Sequence, residues 1–252
     1  MRVQFFSFLI SSLTLVACLS DDTSSSYQLK DFEGNLRGGL ANGEFSLTFD
    51  DGPTIHTERI LDTLKANQIR ATFFVTGKQA LKYPEVMKRI LDEGHLVANH
   101  TFNHPSLPSM PESDVLNEVL ETHKIISPYV DRAYFFRAPY GAWRTRIARF
   151  LNESGLDFYV GNIFWDIGGV LTEKYAADWN CWSKGISVYD CGNRYLNEFR
   201  DRKGGIVLMH DVTAKTARLV EYLVPKLHKM EYRFPRLDEV PKYRDKLEQY
   251  RM

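Results

Sequence analysis

Two adjacent acidic residues, Asp50 and Asp51, follow the apolar run FSLTF and precede Gly52 and Pro53. Adjacent carboxylates repel each other, and a partly buried carboxylate is costly unless a positive charge or hydrogen bonds compensate it. A solvated turn is the simplest explanation, because Asp, Gly and Pro are common turn residues. The alternative is a site in which one carboxylate binds a cation and the other acts as general base. Gly52 and Pro53 would then turn the chain so that both side chains reach one cavity.

Two histidines, His100 and His104, lie four residues apart in the stretch NHTFNHP. That spacing places both imidazoles on one side of a helical turn or a compact loop, and Pro105 disfavours a helix that continues through His104. Two imidazoles and one carboxylate form a metal site with open coordination positions. One of the two aspartates can supply that carboxylate, although two unrelated loop histidines would have the same spacing.

The elements that must position these residues are short apolar strands that alternate with amphipathic helices from Glu44 onward. The strand-like runs are FSLTF, ATFFVTG, HLVANH, AYFFRAPY, DFYVG, NIFWDI and GGIVLMHD. This alternation predicts parallel strands wrapped by helices. The number of units favours a single α/β barrel, with an open doubly wound sheet as the second choice.

Polar residues follow several of these runs, and the carboxyl ends of parallel strands form the active-site rim of a barrel. Arg137 lies within YFFRAPY, and His210 and Asp211 follow GIVLM. Together with the aspartate pair and the histidine pair, these residues predict one site built from four separate strand ends.

Five motifs occur in one order along the chain: TFDDGP, HTFNHP, RAPYG, a DW dipeptide and VLMHD. In order and spacing they resemble the motifs of the metal-dependent polysaccharide deacetylases, carbohydrate esterase family 4, over roughly residues 44–212. The resemblance implies an α/β fold, a distorted (β/α) barrel of about seven parallel strands. It also implies a single deacetylase domain, which we assign to residues 44–240, with an open groove for a polymer chain.

The resemblance implies a role for each matching residue of the first motifs. Asp50 corresponds to the catalytic base, whereas Asp51, His100 and His104 correspond to the ligands of a divalent metal. Zn2+ is the expected cofactor, and Co2+, Ni2+ or Mn2+ are alternatives for two imidazoles and a carboxylate. Arg137 corresponds to the arginine that holds and orients the carboxylate of the base.

In the later motifs, His210 corresponds to the general acid and Asp178 to the carboxylate that keeps this histidine charged and oriented. The DW dipeptide of the family lies only a few residues after its strand, whereas here GGVLTEKYAA separates FWDI from Asp178. Asp166 is therefore an alternative partner of His210. Asp178 is favoured because a tryptophan follows it.

Three matching residues correspond to substrate contacts. The backbone N–H of Tyr140 is expected to help bind the developing oxyanion, and Trp179 and Leu208 are expected to enclose the acetyl methyl group. The implied reaction is metal-dependent hydrolytic removal of acetyl groups from N-acetylglucosamine residues of a cell-envelope polysaccharide, with peptidoglycan favoured. Chitin oligomers and acetylated xylan are alternative substrates for the same site.

Two other classes of protein compete with this interpretation. A non-haem iron oxygenase also uses two histidines and a carboxylate, but it predicts an antiparallel double sheet and leaves Asp50, Arg137 and His210 without a role. A non-catalytic polysaccharide-binding protein with a decayed site is disfavoured because every motif residue is present.

The N-terminal stretch MRVQFFSFLISSLTLVACLS has an early Arg2, an apolar run and small residues, which is the pattern of a secretory signal peptide. Its end, LVAC, resembles the lipoprotein signal of bacteria, in which Cys18 becomes the acylated N-terminus. We expect a lipoprotein-type signal in residues 1–18, a polar tether in 19–43 and export to the periplasm or cell envelope. A plain signal peptide is the alternative.

The two remaining cysteines, Cys181 and Cys191, predict a disulfide, which an exported protein can hold. A metal pair is the alternative, but it lacks C-x-x-C spacing and a nearby histidine. The net charge of +0, from 32 basic and 32 acidic residues, argues against nucleic acid as a partner. We expect a monomer that binds polysaccharide, contacts a membrane only through a lipid at Cys18, and ends in a charged tail over 241–252.

Overall fold

The structure is a computed structural model that describes residues 35–131 and 133–249. The predicted signal peptide, Cys18 and most of the predicted tether therefore lie outside the described residues. Within the described ranges, no helix is both long enough and apolar enough to cross a membrane.

A parallel sheet of four strands, in the order β3-β2-β1-β4, forms the centre of the described part of the chain. The strands are β1 (Phe45–Asp50), β2 (Thr72–Val75), β3 (Leu96–Asn99) and β4 (Gly205–His210). All strand residues are buried except His210, which is partly exposed. The register pairs Asp50 with Phe74 of β2 and with His210 of β4, so the carboxyl ends of these strands lie side by side. The predicted single α/β domain with parallel strands is confirmed.

The described residues contain four strands, whereas the sequence pattern predicts about seven. The remaining predicted strands are extended segments joined to the sheet by isolated parallel bridges. These bridges pair Asn99 with Phe136, Phe135 with Val160, and Ile167 with Val207. The segment from 160 to 167 therefore contacts two parts of the sheet. At one end it pairs with the extended segment 135–136, which lies beside β3, and at the other it pairs with the free edge of β4.

Arg137 gives a physical reason why the segment from 160 to 167 forms bridges rather than a continuous ladder. Its Nε donates to the carbonyl of Ile163 at 3.0 Å, and its Nη2 lies 3.5 Å from the carbonyl of Phe164. These backbone acceptors serve a buried side chain rather than a neighbouring strand. The extended run that contains Arg137 also ends early, because Pro139 has no N–H to donate to a ladder.

Helices connect and cover the strands. Those in the described residues are α1 (Thr57–Ala66), α2 (Gly77–Lys82), α3 (Pro84–Asp92), α4 (Glu112–Ile126), α5 (Thr145–Leu151), α6 (Asp178–Ser183), α7 (Val188–Arg202), α8 (Ala214–Lys229) and α9 (Pro241–Gln249). Each longer helix buries one apolar face, as Ile60, Leu61 and Leu64 do in α1. Pro84 at the first position of α3 is favourable because its missing N–H would have no helical partner there.

Residues at both ends of the described chain pack onto the domain. The segment 241–249, predicted as part of a charged tail, forms α9, whose Tyr243 and Leu247 are buried in the main core. The Tyr243 hydroxyl donates to the carbonyl of Gly38 at 3.0 Å. Leu36, in the predicted tether, forms a parallel bridge with Ile163. The packed domain is therefore wider than residues 44–240, because apolar side chains at both ends find partners that are distant in sequence.

Replacement of Tyr243 by alanine tests the contribution of α9. We expect Tyr243→Ala to lower the free energy of unfolding by about 3 kcal/mol, because it leaves a cavity in the core and removes the hydrogen bond to Gly38. Urea unfolding measures the change. The matched control on the same helix is Glu248→Ala, which alters an exposed side chain. Equal stabilities of the two variants would contradict the packed role of α9.

Candidate active site

The backbone at Asp51 explains how two adjacent carboxylates reach one cavity. Side chains alternate between the two faces of a strand, so an extended chain would separate Asp50 from Asp51. Asp51 instead adopts a left-handed conformation with φ of 75°, and the turn begins at this residue. Gly52 then packs so closely on Asp211 that an added Cβ would lie 2.0 Å from Asp211 Oδ2. Only glycine fits at this position.

Asp51, His100 and His104 form a compact set of possible metal ligands. Asp51 Oδ1 lies 3.2 Å from Nε2 of His100 and 3.0 Å from Nε2 of His104. The other ring nitrogen of His100, Nδ1, lies 2.8 Å from the carbonyl of Arg137. A carbonyl accepts only, so Nδ1 carries the proton and the lone pair of Nε2 faces Asp51.

The bonding of Asp51 fits a cation at this position. Its Oδ1 is buried, yet no residue in the described part of the chain donates a hydrogen bond to this atom. Burial would raise the pKa of Asp51, but protonated imidazoles at His100 and His104 would outweigh that effect and lower the pKa below its ordinary value. One ligand atom from each of the three residues lies within 4.8 Å of the others. An ionised oxygen and imidazole nitrogens that converge without hydrogen bonds between them suit a divalent metal.

The loop that carries the two histidines is held in an unusual backbone conformation. Thr101 and His104 have positive φ values of 67° and 62°, which are uncommon for residues other than glycine. The side chain of Asn99 stabilises the loop by accepting from the backbone N–H of Thr101 at 2.9 Å. Glu118 of α4 accepts from two further backbone N–H groups of the same loop. The imidazoles are therefore presented by a supported loop and not by a helix.

Asp50 lies beside this set and is held by Arg137. Arg137 Nη1 donates to Asp50 Oδ1 at 2.6 Å and to the hydroxyl of Thr48 at 2.8 Å. Both Asp50 and Arg137 are buried. The guanidinium also lies 4.0 Å from the ring centroid of Phe74. The carboxylate is thus fixed and charge-compensated, while its Oδ2 lies 3.8 Å from His100 Nε2, next to the possible metal ligands.

His210, at the end of β4, is paired with Asp178 and not with Asp166. Its Nδ1 lies 2.8 Å from Asp178 Oδ1. Burial would lower the pKa of His210, but the charge and hydrogen bond of Asp178 raise it to about 10. Asp166 instead accepts from the backbone N–H groups of Gly38 and Ile206. Its carboxylate is therefore used to join chain segments.

These residues surround one cavity of about 450 Å³. Its lining includes the predicted site residues Asp50, Asp51, His100, His104, Tyr140, Asp178, Trp179, Leu208 and His210. Tyr140 is 71% exposed, its φ is 60°, and its ring lies edge-on to His104. Trp179 is 51% exposed, whereas Leu208 is buried in the wall. Arg137 does not line the cavity, because it lies behind Asp50.

The structure brings to the site two residues for which the sequence predicts no role. Trp165 lines the cavity, and Thr216 contacts Asp178 from α8. Asp211 was expected at the rim, but it is 1% exposed and lies beneath Gly52. Its Oδ2 accepts from the Thr57 hydroxyl at 2.5 Å. Spacing along the chain contains no signal for these contacts, because each joins segments far apart in sequence.

A disulfide joins Cys181 of α6 to Cys191 of α7, with the Cα atoms 6.1 Å apart. Both cysteines are fully buried. Asp178, Trp179 and Trp182 lie on α6, so the disulfide ties the helix that carries these cavity residues to the longer α7.

The fold and the site define a class: a single α/β domain in which a carboxylate held by a guanidinium, a histidine held by a carboxylate and a set of possible metal ligands lie together at the carboxyl end of a parallel sheet. The chain belongs to the polysaccharide deacetylase family. The polysaccharide deacetylase family model matches residues 39–159.

Three similar proteins support this assignment. The peptidoglycan-N-acetylglucosamine deacetylase PgdA of Listeria monocytogenes is 36% identical over 211 residues, which are 82% of this chain and 40% of that protein. The chitooligosaccharide deacetylase of Sinorhizobium fredii is 33% identical over 180 residues, which are 69% of this chain and 75% of that protein. The solved structure of the Bc1960 peptidoglycan N-acetylglucosamine deacetylase matches with a TM-score of 0.67 and 29% identity, covering 82% of this chain and 91% of that one. The chain thus spans less than half the length of the Listeria relative.

Asp211 leads to a prediction about stability and pH. Burial, partly offset by the Thr57 hydroxyl, raises the pKa of Asp211 from 3.8 to about 7. The folded state therefore binds a proton that the unfolded state has lost, so this group lowers stability as pH rises through that window. We expect Asp211→Asn to become more stable relative to the unchanged protein between pH 5 and pH 8.

Urea unfolding at both pH values, in the presence of a chelator, measures this difference. The chelator keeps metal binding from changing the comparison. A stability difference between the two proteins that is the same at both pH values would show that Asp211 is ionised in the folded state throughout.

Proposed function

We propose that this protein removes acetyl groups hydrolytically from N-acetylglucosamine residues of a cell-envelope polysaccharide, with peptidoglycan as the favoured substrate. The observation that carries the proposal is the pairing of two acid–base groups across adjacent strands. Asp50, held by Arg137, and His210, held by Asp178, occupy paired register positions at the ends of β1 and β4. Hydrolysis of an amide needs such a base for water and an acid for the leaving nitrogen.

Asp51, His100 and His104 would hold the divalent metal. When bound, the metal supplies Lewis acidity, which polarises the acetyl carbonyl and lowers the pKa of a water molecule. Asp50 is placed to accept the proton of that water. Because Arg137 donates to Oδ1, the carboxylate of Asp50 keeps its orientation and leaves Oδ2 on the side of His100.

His210 is placed to protonate the leaving amine. Its Nδ1 is bound by Asp178, so Nε2 is the ring atom that faces the cavity and donates the proton. The raised pKa of about 10 keeps the imidazole protonated at neutral pH. A charged acid close to the scissile bond lets the amine leave as a neutral group instead of an amide anion.

The shape of the cavity and the names of the relatives support an acetylated polymer as substrate. Leu208 supplies an apolar wall, and the exposed rings of Tyr140 and Trp179 border the cavity. The Listeria relative and the Bc1960 structure are named as peptidoglycan N-acetylglucosamine deacetylases. The Sinorhizobium relative is named as a chitooligosaccharide deacetylase, which favours chitin oligomers as the second candidate.

The finer expectations belong to the same proposal. We infer zinc as the metal, export through the N-terminal signal, a lipid at Cys18 and a monomeric protein. We also infer that the bridged segments around the four-stranded sheet correspond to a distorted barrel of about seven strands. The bridges beyond β3 and β4 support this architecture, and two imidazoles with one carboxylate support zinc.

Acetate release by the purified protein, with zinc added, tests the proposed reaction. The substrates are peptidoglycan, chitin oligomers and acetylated xylan, each with and without a chelator. We expect chelator-sensitive acetate from peptidoglycan. Acetate from xylan alone would replace the proposal with an esterase, and no acetate from any of the three with metal bound would leave polysaccharide binding as the function.

Two substitutions separate the base from the metal ligands. We expect Asp50→Asn to lower kcat about a hundredfold or more, because the general base is lost, while bound zinc stays near one ion per chain. We expect His104→Ala to lose both zinc and activity, because one of three ligands is removed. Elemental analysis and acetate release measure both effects. The control is His228→Ala, an exposed histidine on α8, and normal activity of Asp50→Asn would contradict its role as base.

Removal of the Asp178 charge tests the acid. A group that acts as an acid loses activity when pH rises through its pKa, and Asp178 raises the pKa of His210. We therefore expect the alkaline limb of kcat/KM to move to lower pH in Asp178→Asn. Asp166→Asn is the control, because Asp166 binds backbone N–H groups and should leave the limb unchanged. If the alkaline limb moves in Asp166→Asn and stays unchanged in Asp178→Asn, Asp166 is the partner of His210.

A further inference from the structure

Thr216, in the first turn of α8, lies between the wall of the cavity and the carboxylate that holds His210. Its Oγ1 is 3.0 Å from Asp178 Oδ2 and 3.0 Å from Trp182 Nε1. Thr216 is fully buried, whereas Trp182 is partly exposed and lines the cavity. One hydroxyl group therefore joins a wall of the substrate cavity to the partner of the acid.

The direction of these hydrogen bonds follows from the chemistry of the two partners. An indole N–H can only donate, and an ionised carboxylate can only accept. The Thr216 hydroxyl therefore accepts from Trp182 and donates its single proton to Asp178. Thr213 Oγ1 lies 3.2 Å from Thr216 Oγ1, and in that contact Thr213 must be the donor. Trp182 in the cavity wall thus donates to Thr216, which in turn donates to the carboxylate of Asp178.

Asp178 accepts four hydrogen bonds, which is about the capacity of a carboxylate. Oδ1 accepts from the backbone N–H of Trp179 at 2.8 Å and from His210 Nδ1 at 2.8 Å. Oδ2 accepts from the backbone N–H of His210 at 2.9 Å and from Thr216 at 3.0 Å. Two donors are backbone groups and one is the acid itself. Thr216 thus supplies the remaining side-chain hydrogen bond to Asp178 within the described residues.

The position of Thr216 also links Asp178 to the helix behind it. The N-cap residue Thr213 accepts from the backbone N–H of Thr216 at 3.1 Å, which fixes the first turn of α8. The carboxylate of Asp178 contacts this turn, where the positive end of the helix dipole favours a negative charge. Asp178 is therefore held on one side by β4 and on the other by α8.

We propose that Thr216 is a positioning residue that orients Asp178, and through it His210, while it fixes the indole of Trp182 as a wall for the acetylated sugar. This inference rests on the proposed deacetylase function. Without the hydroxyl, Oδ2 keeps a single hydrogen bond, and the carboxylate is free to rotate away from the plane that suits His210 Nδ1. The acid then loses orientation, and the indole loses the acceptor that sets its ring angle.

The isosteric change Thr216→Val removes the hydroxyl and keeps the volume. We expect kcat to fall about tenfold, which is the size of effect given by the loss of one hydrogen bond to a charged group. Trp182→Phe keeps an aromatic wall and removes the N–H. We expect it to raise KM and to leave kcat within about twofold, because Thr216 still donates to Asp178. Wild-type kcat in Thr216→Val, or wild-type KM in Trp182→Phe, would overturn the proposal.

A second pair of variants remains informative if valine is not tolerated at this buried position. Thr216→Ser and Thr216→Ala both lose the γ-methyl group, and only the alanine variant loses the hydroxyl. We expect the serine variant to recover kcat to within about threefold of the unchanged protein and the alanine variant to stay about tenfold lower. Equal kcat in these two variants would show that Thr216 acts by packing alone and would overturn the proposal.

NMR titration of the His210 ring gives a readout that does not depend on turnover. The charged groups around His210 are Asp178, Asp51 and Asp50, and none is altered in Thr216→Ala. We expect its imidazole to titrate at lower pH than in the serine variant, because the hydrogen bond between Asp178 and His210 is weakened. An identical titration in both variants would overturn the proposal. If the unchanged protein releases no acetate but the titrations differ, the deacetylase function fails and the positioning role of Thr216 stands.

Discussion

The buried ion pair between Arg137 and Asp50 is the interaction on which the rest of the site depends. A guanidinium with no solvent exposure is stable only if its donors and its charge are satisfied. Asp50 supplies the charge, and the carbonyls of Ile163 and Phe164 and the hydroxyl of Thr48 accept the remaining hydrogen bonds. The same contacts interrupt strand pairing between residues 160 and 167, so the orientation of the Asp50 carboxylate and the irregular edge of the sheet have one cause.

Four acidic side chains lie around this edge of the sheet, and they differ in what compensates them. Asp50 faces a guanidinium, Asp51 faces two imidazoles, and Asp178 accepts four hydrogen bonds, one from an imidazole. One oxygen of Asp211 accepts from a threonine hydroxyl, and the other has no hydrogen-bond partner among the described residues. Burial therefore raises the pKa of Asp211 to about 7, whereas the imidazoles lower that of Asp51. The pKa values of Asp51 and Asp211 thus differ because the surroundings of the two carboxylates differ.

The motif residues could be predicted from the sequence because strand ends place polar side chains at one rim, and the structure brings them to one cavity. The backbone conformation and the long-range contacts of the site could not be predicted from the sequence. The sequence predicts a turn at Gly52 and Pro53, whereas in the structure the turn begins at Asp51 with a positive φ. A positive φ at a residue other than glycine has no signature in the sequence. Tyr243 in α9 and Thr216 in α8 also escaped prediction. Their importance comes from contacts with Gly38 and Asp178, which are far away in sequence.

The ten residues GGVLTEKYAA before Asp178 show why spacing along the chain is a poor guide to which aspartate pairs with His210. Gly168, at the start of this stretch, has a φ of 87°, and an added Cβ would lie 2.3 Å from the carbonyl of Leu208. After its bridge with β4 at Ile167, the chain turns away from this strand, and it contacts the strand again at the start of α6. Tyr195 of α7 bridges the two points, because its hydroxyl accepts from the N–H of Asp178 at 3.2 Å and donates to Leu208 at 3.0 Å. A fully buried tyrosine thus ties the start of α6 to the strand that ends in His210. The position of Asp178 is therefore set by its contacts with β4, α7 and α8.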